Sequence, residues 1–161
     1  MMIEFSYTLT DPAVLPGWEQ HHEVAGAPGS DLLWSGFPGD VGITTSEAEI
    51  RTRFDWVPLL HIAGELIAIV DRLTDPGAVA TYSFTESADE LRFERSRELV
   101  RISATFTDSV LTTTMPELSD AVRRFVPAVL DDLTARYPGL AQNPLTTELR
   151  DAVARRSQSP S

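Results

Sequence analysis

Three histidines, His21, His22 and His61, are the only imidazoles in a chain of 161 residues that has no cysteine and, among thirteen basic residues, no lysine. That inventory removes a thiolate nucleophile, a thiolate metal site, a Schiff-base lysine and a phosphate-loop lysine. His21-His22-Glu23 supplies ligand types that suit zinc or another transition metal. The spacing works against it, because adjacent residues on an extended strand point to opposite faces. Further ligands would have to come from Glu19 or Asp31. His61 precedes Glu65 by four residues, so both fall on one helical face, an arrangement that can relay a proton but more often makes a surface pair of small energy. Ser35 lacks the glycine two positions earlier that a nucleophile elbow requires. Asp131-Asp132 falls on a helix, where neighbours point about 100° apart. No glycine-rich dinucleotide or phosphate loop is present. No residue is assigned as catalytic, and no cofactor or metal is expected; His21, His22 and Glu23 are the weak metal candidates.

These residues are carried by a recognisable series of elements. Ile3, Phe5, Tyr7 and Leu9 alternate with polar residues and predict a half-buried strand. Residues 10–30 hold three prolines and three glycines and read as a long irregular connection containing Trp18, His21 and His22. Residues 32–37 and 41–45, joined by Pro38-Gly39-Asp40, predict a hairpin, and the alternation Ile50, Thr52, Phe54, Trp56 another strand. Asp55 can cap a helix running to about Leu73, apolar on nearly every side except at His61, Glu65 and Arg72, and therefore mostly buried.

Four short alternating runs follow, 82–84, 91–93, 100–106 and 110–112, separated by short polar gaps. They predict an antiparallel meander with one apolar face and one bearing Arg92, Glu94 and Arg101. Thr114-Met115-Pro116-Glu117 is a capping box opening an amphipathic helix supported by Asp120–Arg124 and Asp132–Arg136 pairs. Pro127 predicts a kink or break near Arg123. Asn143-Pro144 starts a last helix to about Arg156. Strands are not interleaved with helices one for one. The expected class is therefore α+β, an antiparallel meander sheet with one buried internal helix and two C-terminal helices. One domain over residues 1–156 and a disordered tail over 157–161 complete the expectation.

Charge carries the functional expectation. Residues 1–50 hold eight acids (Glu4, Asp11, Glu19, Glu23, Asp31, Asp40, Glu47, Glu49) and no arginine, whereas residues 101–161 are neutral overall; the net charge is −11. Such a surface repels nucleic acid and anionic membranes and speeds encounter with a basic protein. Trp18 and Trp34 lie in this acidic third, and aromatic anchors are enriched where proteins dock. The most apolar stretch, around Leu66–Val70, is far short of the roughly 20 residues that span a bilayer. No basic residue precedes the first apolar positions, so no signal peptide is expected, and the cytoplasm is the expected compartment. Arginine in place of lysine and a single asparagine, Asn143, point to a GC-rich genome.

The run Tyr82-Ser83-Phe84, Leu91-Arg92-Phe93-Glu94-Arg95, Val100-Arg101-Ile102-Ser103, then Glu117-Leu118 through Pro138, resembles uncharacterised small proteins of actinobacteria. In overall build it is similar to immunity proteins of bacterial toxin systems. The resemblance covers about half the chain and implies an acidic cytosolic binder that occludes a toxin surface; it transfers no catalytic residue. The expected function is a non-enzymatic binding protein for a basic partner, a toxin domain for instance, through Trp18, Glu19, Glu23, Asp31, Trp34 and Asp40. The alternatives are a small metal-dependent enzyme using the His21-His22 loop, and an accessory protein holding a ligand in an apolar pocket between sheet and helices.

Overall fold

The structure, a computed structural model, describes residues 2–158, the last three by their backbone alone. It is an α+β fold with two antiparallel four-stranded sheets. The first sheet joins β1 (Ile3–Leu9), β2 (Pro38–Thr45) and β3 (Glu49–Arg51), with β4 (Val57–Pro58) also on β2. The second is the expected meander: β5 (Val79–Ser83), β6 (Glu90–Ser96), β7 (Leu99–Ala104) and β8 (Thr107–Thr114). β8 lies beside β3 and β2, so the two sheets meet there. The helices are α1 (Gly29–Ser35), α2 (Leu59–Arg72), α3 (Met115–Arg136) and α4 (Pro144–Gln158). The helix α4 continues through Ser157 and Gln158, where the sequence predicts a tail; residues 159–161 lie outside the described residues.

Alternation sets the meander register. Tyr82 faces Leu91, Phe93 faces Ile102, and Ile102 faces Leu111. All of these side chains are buried, while Arg92 and Arg101, one residue out of phase, are exposed. Phe93 is 0% exposed, and burying such a ring contributes about 2–3 kcal/mol. The helices α2 and α3 pack on each other, α2 against β5 and β2, and α3 against β1, with α4 outside them. The face of α3 that meets the sheets carries Leu118, Val122, Phe125, Val129 and Leu133, all buried. Thr114 caps this helix by accepting the Glu117 amide at 3.3 Å. Asp132 pairs with Arg136 as expected, but Asp120 pairs with Arg123, and Arg124 instead donates to the Ile3 carbonyl at 3.4 Å. The helix runs unbroken across Pro127. The proline removes one amide donor, and eight buried side chains along the helix outweigh that loss.

Three local expectations are corrected. Residues 32–37 form no hairpin arm: Gly29–Ser35 is a short helix whose single fully buried side chain is Leu32. A run with one buried position has no period, and Pro28 with Asp31 in the first turn supplies the helix start. The strand expected through Trp56 stops at Arg51; beyond it the Phe54 and Asp55 amides turn to the Asp40 carboxylate, and Asp55 adopts φ +69°. Asp55 therefore caps nothing; α2 starts after Pro58, and the Phe37 carbonyl receives the Leu59 amide at 3.3 Å.

β1 terminates its sheet. Its even-numbered residues face β2, as the Thr10 amide bonded to the Pro38 carbonyl at 3.0 Å shows, and Ile3 turns its carbonyl outward to Arg124. By the antiparallel alternation, Phe5 and Tyr7 also point their amides and carbonyls away from the sheet. Gly39 sits opposite Leu9, where a Cβ would lie 2.0 Å from the Thr8 carbonyl oxygen, so β1 and β2 can approach only over a glycine.

Candidate functional site

The helix α1 presents Trp34, which is 56% exposed. Asp31 lies one turn earlier on the same face. The Trp34 ring rests on His61 of α2, with centroids 4.4 Å apart and planes tilted by 36°. His61 Nδ1 meets the hydroxyl of the buried Tyr82 at 3.1 Å. From Tyr82 the ring contacts continue edge-on to Phe84 at 5.0 Å, then to Phe54 and Phe106, with Trp56 stacked on Phe54 at 5.0 Å. An exposed indole on α1 is thus seated on a ladder of rings from α2 and β5 and from the segments around Phe54 and Phe106. The sequence offered the residue types but not this association, which joins positions up to 72 apart.

Burial pushes the His61 imidazole below its ordinary value, partly countered by the Glu65 carboxylate one turn on. Burial, and then the same carboxylate, raises the Tyr82 hydroxyl. His61 is therefore neutral at pH 7, a hydrogen-bonding prop beneath the indole. A histidine held below its unfolded value contributes stability that is complete above that value, about 6.5, and is lost as the pH falls through the folded one. Equilibrium unfolding of wild type and His61→Gln between pH 7.5 and 5 should show the wild type losing more stability over that window. Parallel pH profiles would remove this role.

The remaining anticipated residues fall into separate settings. Trp18, half-buried, lies on a 3-10 turn (Trp18–Gln20) packed beside α1. Its ring stacks on His22, with centroids 3.9 Å apart and planes 5° apart, while His22 Nδ1 meets the Trp18 carbonyl at 2.9 Å. His21 and Glu23 are exposed. Among the described residues no three histidine, aspartate or glutamate side chains cluster so as to hold a metal ion.

Two of the anticipated docking acids have internal partners. Glu19 is 9% exposed, and its Oε2 accepts the Phe37 amide at 2.8 Å. That bond holds Phe37 at φ +52° where α1 gives way to β2. Asp40 Oδ1 accepts the Thr52 hydroxyl at 2.6 Å and the Phe54 amide at 2.8 Å, and the carboxylate also takes the Asp55 amide at 3.1 Å. Glu4 and Glu49 flank Thr44 on the outer face of the first sheet, where Arg51 pairs with Glu49 at 3.2 Å. Glu49 is the one acid of residues 1–50 in an arginine ion pair among the described residues.

A mostly apolar hollow between α2, α3 and α4, lined by Ile67, Val70, Val122 and Val153 with Ser119 and Arg123, measures about 10 Å³, room for roughly one water. Larger depressions are open to the surface. One of about 370 Å³ runs along β1 and α3, and another of about 380 Å³ runs between Pro28 and Leu145. No helix among the described residues is long and apolar enough to cross a membrane.

No family model matches this chain, and neither a curated protein nor a solved structure is similar to it.

Proposed function

We propose that this chain is a non-enzymatic acidic binding protein, of the immunity-protein kind, that docks onto a basic protein such as a toxin domain. The observation that carries the reading is Trp34, an indole more than half exposed yet propped from below by His61, with Asp31 beside it. A ring that is already ordered loses little entropy on binding, and its face accepts a guanidinium or ammonium group that a neighbouring carboxylate can pair. The net charge of −11, with the front acids largely outside ion pairs, draws such a partner in.

The test measures affinity for basic toxin domains, beginning with one encoded beside this chain. Trp34→Ala should weaken binding by about 30-fold or more, mainly through faster dissociation. Reversing Glu23 and Asp31 to arginine should slow association, with the difference shrinking in high salt. Binding that survives Trp34→Ala at full strength would overturn the reading.

A further inference from the structure

A separate pocket lies between the 3-10 turn, the start of β2 and the end of α3. It has a volume of about 140 Å³. Glu19 lines it, with its residue surface 9% exposed. Oε2 of this carboxylate takes the Phe37 amide, and among the described residues Oε1 meets no donor. Oε1 is instead open to the pocket, where a donor on a ligand can reach it. The chain makes room for it: a Cβ on Gly17 would lie 2.3 to 2.7 Å from the carboxylate atoms. Asp11 is a second carboxylate in the lining, and the opposite charge comes from Arg136, an exposed side chain paired with Asp132. Its Nε is committed to Asp132 at 2.9 Å, and among the described residues its terminal nitrogens carry no hydrogen bond.

These two remnants select a ligand. A simple anion would meet the Glu19 and Asp11 carboxylates, and a simple cation the Arg136 guanidinium, so each faces a like charge in the pocket. A molecule carrying both an ammonium and a carboxylate satisfies both. Leu15 and Pro12 supply apolar surface for a few methylene groups. We propose that this pocket binds a small free amino acid as its zwitterion, with the ammonium on Glu19 and the carboxylate on the Arg136 fork. The site is distinct from the Trp34 docking surface and does not depend on it.

The experiment is calorimetric titration, with thermal shift alongside, in a buffer free of amines and carboxylates. The ligands are glycine, alanine, β-alanine and γ-aminobutyrate, which vary the separation of the two charges; methylamine and acetate are the half-ligands. At least one zwitterion should bind, with each half-ligand about 100-fold weaker or worse. Glu19→Gln, which keeps an acceptor for Phe37, and Arg136→Gln should each weaken binding about tenfold or more. Leu15→Trp fills the pocket without touching either charge and should abolish binding while the unfolding temperature stays near that of wild type. Trp34→Ala should leave amino-acid binding unchanged, so this proposal and the docking proposal fail separately. No response to any zwitterion up to about 10 mM, acetate or methylamine binding as well as the best zwitterion, or undiminished binding by Leu15→Trp would each overturn the assignment.

Discussion

Asn143→Ala is expected to lose about 4 kcal/mol of folding stability, at the upper end of what a single substitution costs. Asn143 is 1% exposed. Its amide nitrogen donates to the Val24 carbonyl at 2.8 Å and the Ala27 carbonyl at 2.9 Å, and its Oδ1 accepts the Leu145 amide at 3.0 Å. One side chain thus ties the loop before α1 to the first turn of α4, across more than a hundred residues of sequence. Alanine would leave two carbonyls and an amide without partners, each costing about 1–3 kcal/mol where water cannot reach. Asn143→Asp sharpens the test, because it replaces the donor with an oxygen facing two carbonyls. The acid is tolerated only when protonated, so its folded pKa lies above the unfolded one of about 3.9. Stability of this variant should therefore be highest below that value and be lost as pH rises through the folded pKa. Urea unfolding at pH 7.5 and pH 4 measures both variants; a loss under about 1 kcal/mol in alanine, or no pH-dependent gap in aspartate, would refute the account.

Asp40→Ala should cost about 3 kcal/mol. Its carboxylate holds the Thr52 hydroxyl and the Phe54 and Asp55 amides, while the Thr52 hydroxyl in turn accepts the Val41 amide at 3.0 Å. The bonds keep Asp55 at positive φ, a conformation that costs a non-glycine residue about 1–2 kcal/mol. Without them the loop loosens and takes with it Phe54, which stacks on Trp56 and meets Phe84 edge-on at 5.3 Å. Near-ultraviolet circular dichroism should weaken along with the denaturation midpoint. Asp40→Asn, which keeps one acceptor, should lose less than half as much. Equal losses in the two variants would show that negative charge, rather than the bonding geometry, carries the effect.

The meander was legible in the sequence because burial on one face writes a period of two, and Tyr82, Leu91, Phe93 and Ile102 keep it; only the last run is out of phase, since Leu111 turns inward where the expected alternation was Val110 and Thr112, and Val110 is exposed. The capping box at Thr114 was legible because its signal is local. The short helix α1 was not, because only Leu32 is fully buried and a single anchor leaves no period to read. The Ile50–Trp56 alternation misleads for the opposite reason: the pattern persists after the chain has left the sheet, since Phe54 and Trp56 pack into the aromatic cluster. Glu19 and Asp40 group with surface acids by composition, which says nothing about which way a carboxylate turns. Their partners are amides 14 to 18 positions away. Asn143 stands out by composition as the lone asparagine, but the clue to its bonding role is its place directly before Pro144 at a helix start.

The open side of β1 has a consequence for handling this molecule. Seven residues with continuous pairing to β2, no proline and a single charge, Glu4, form a template to which another extended chain could add. Arg124 of α3 covers only the Ile3 carbonyl along that edge. Long-range repulsion between bodies that each carry eleven excess negative charges works against such pairing between copies. Colloidal stability in this protein is therefore sensitive to ionic strength and acidity, and concentrated salt or a pH near 4.6 weakens that repulsion.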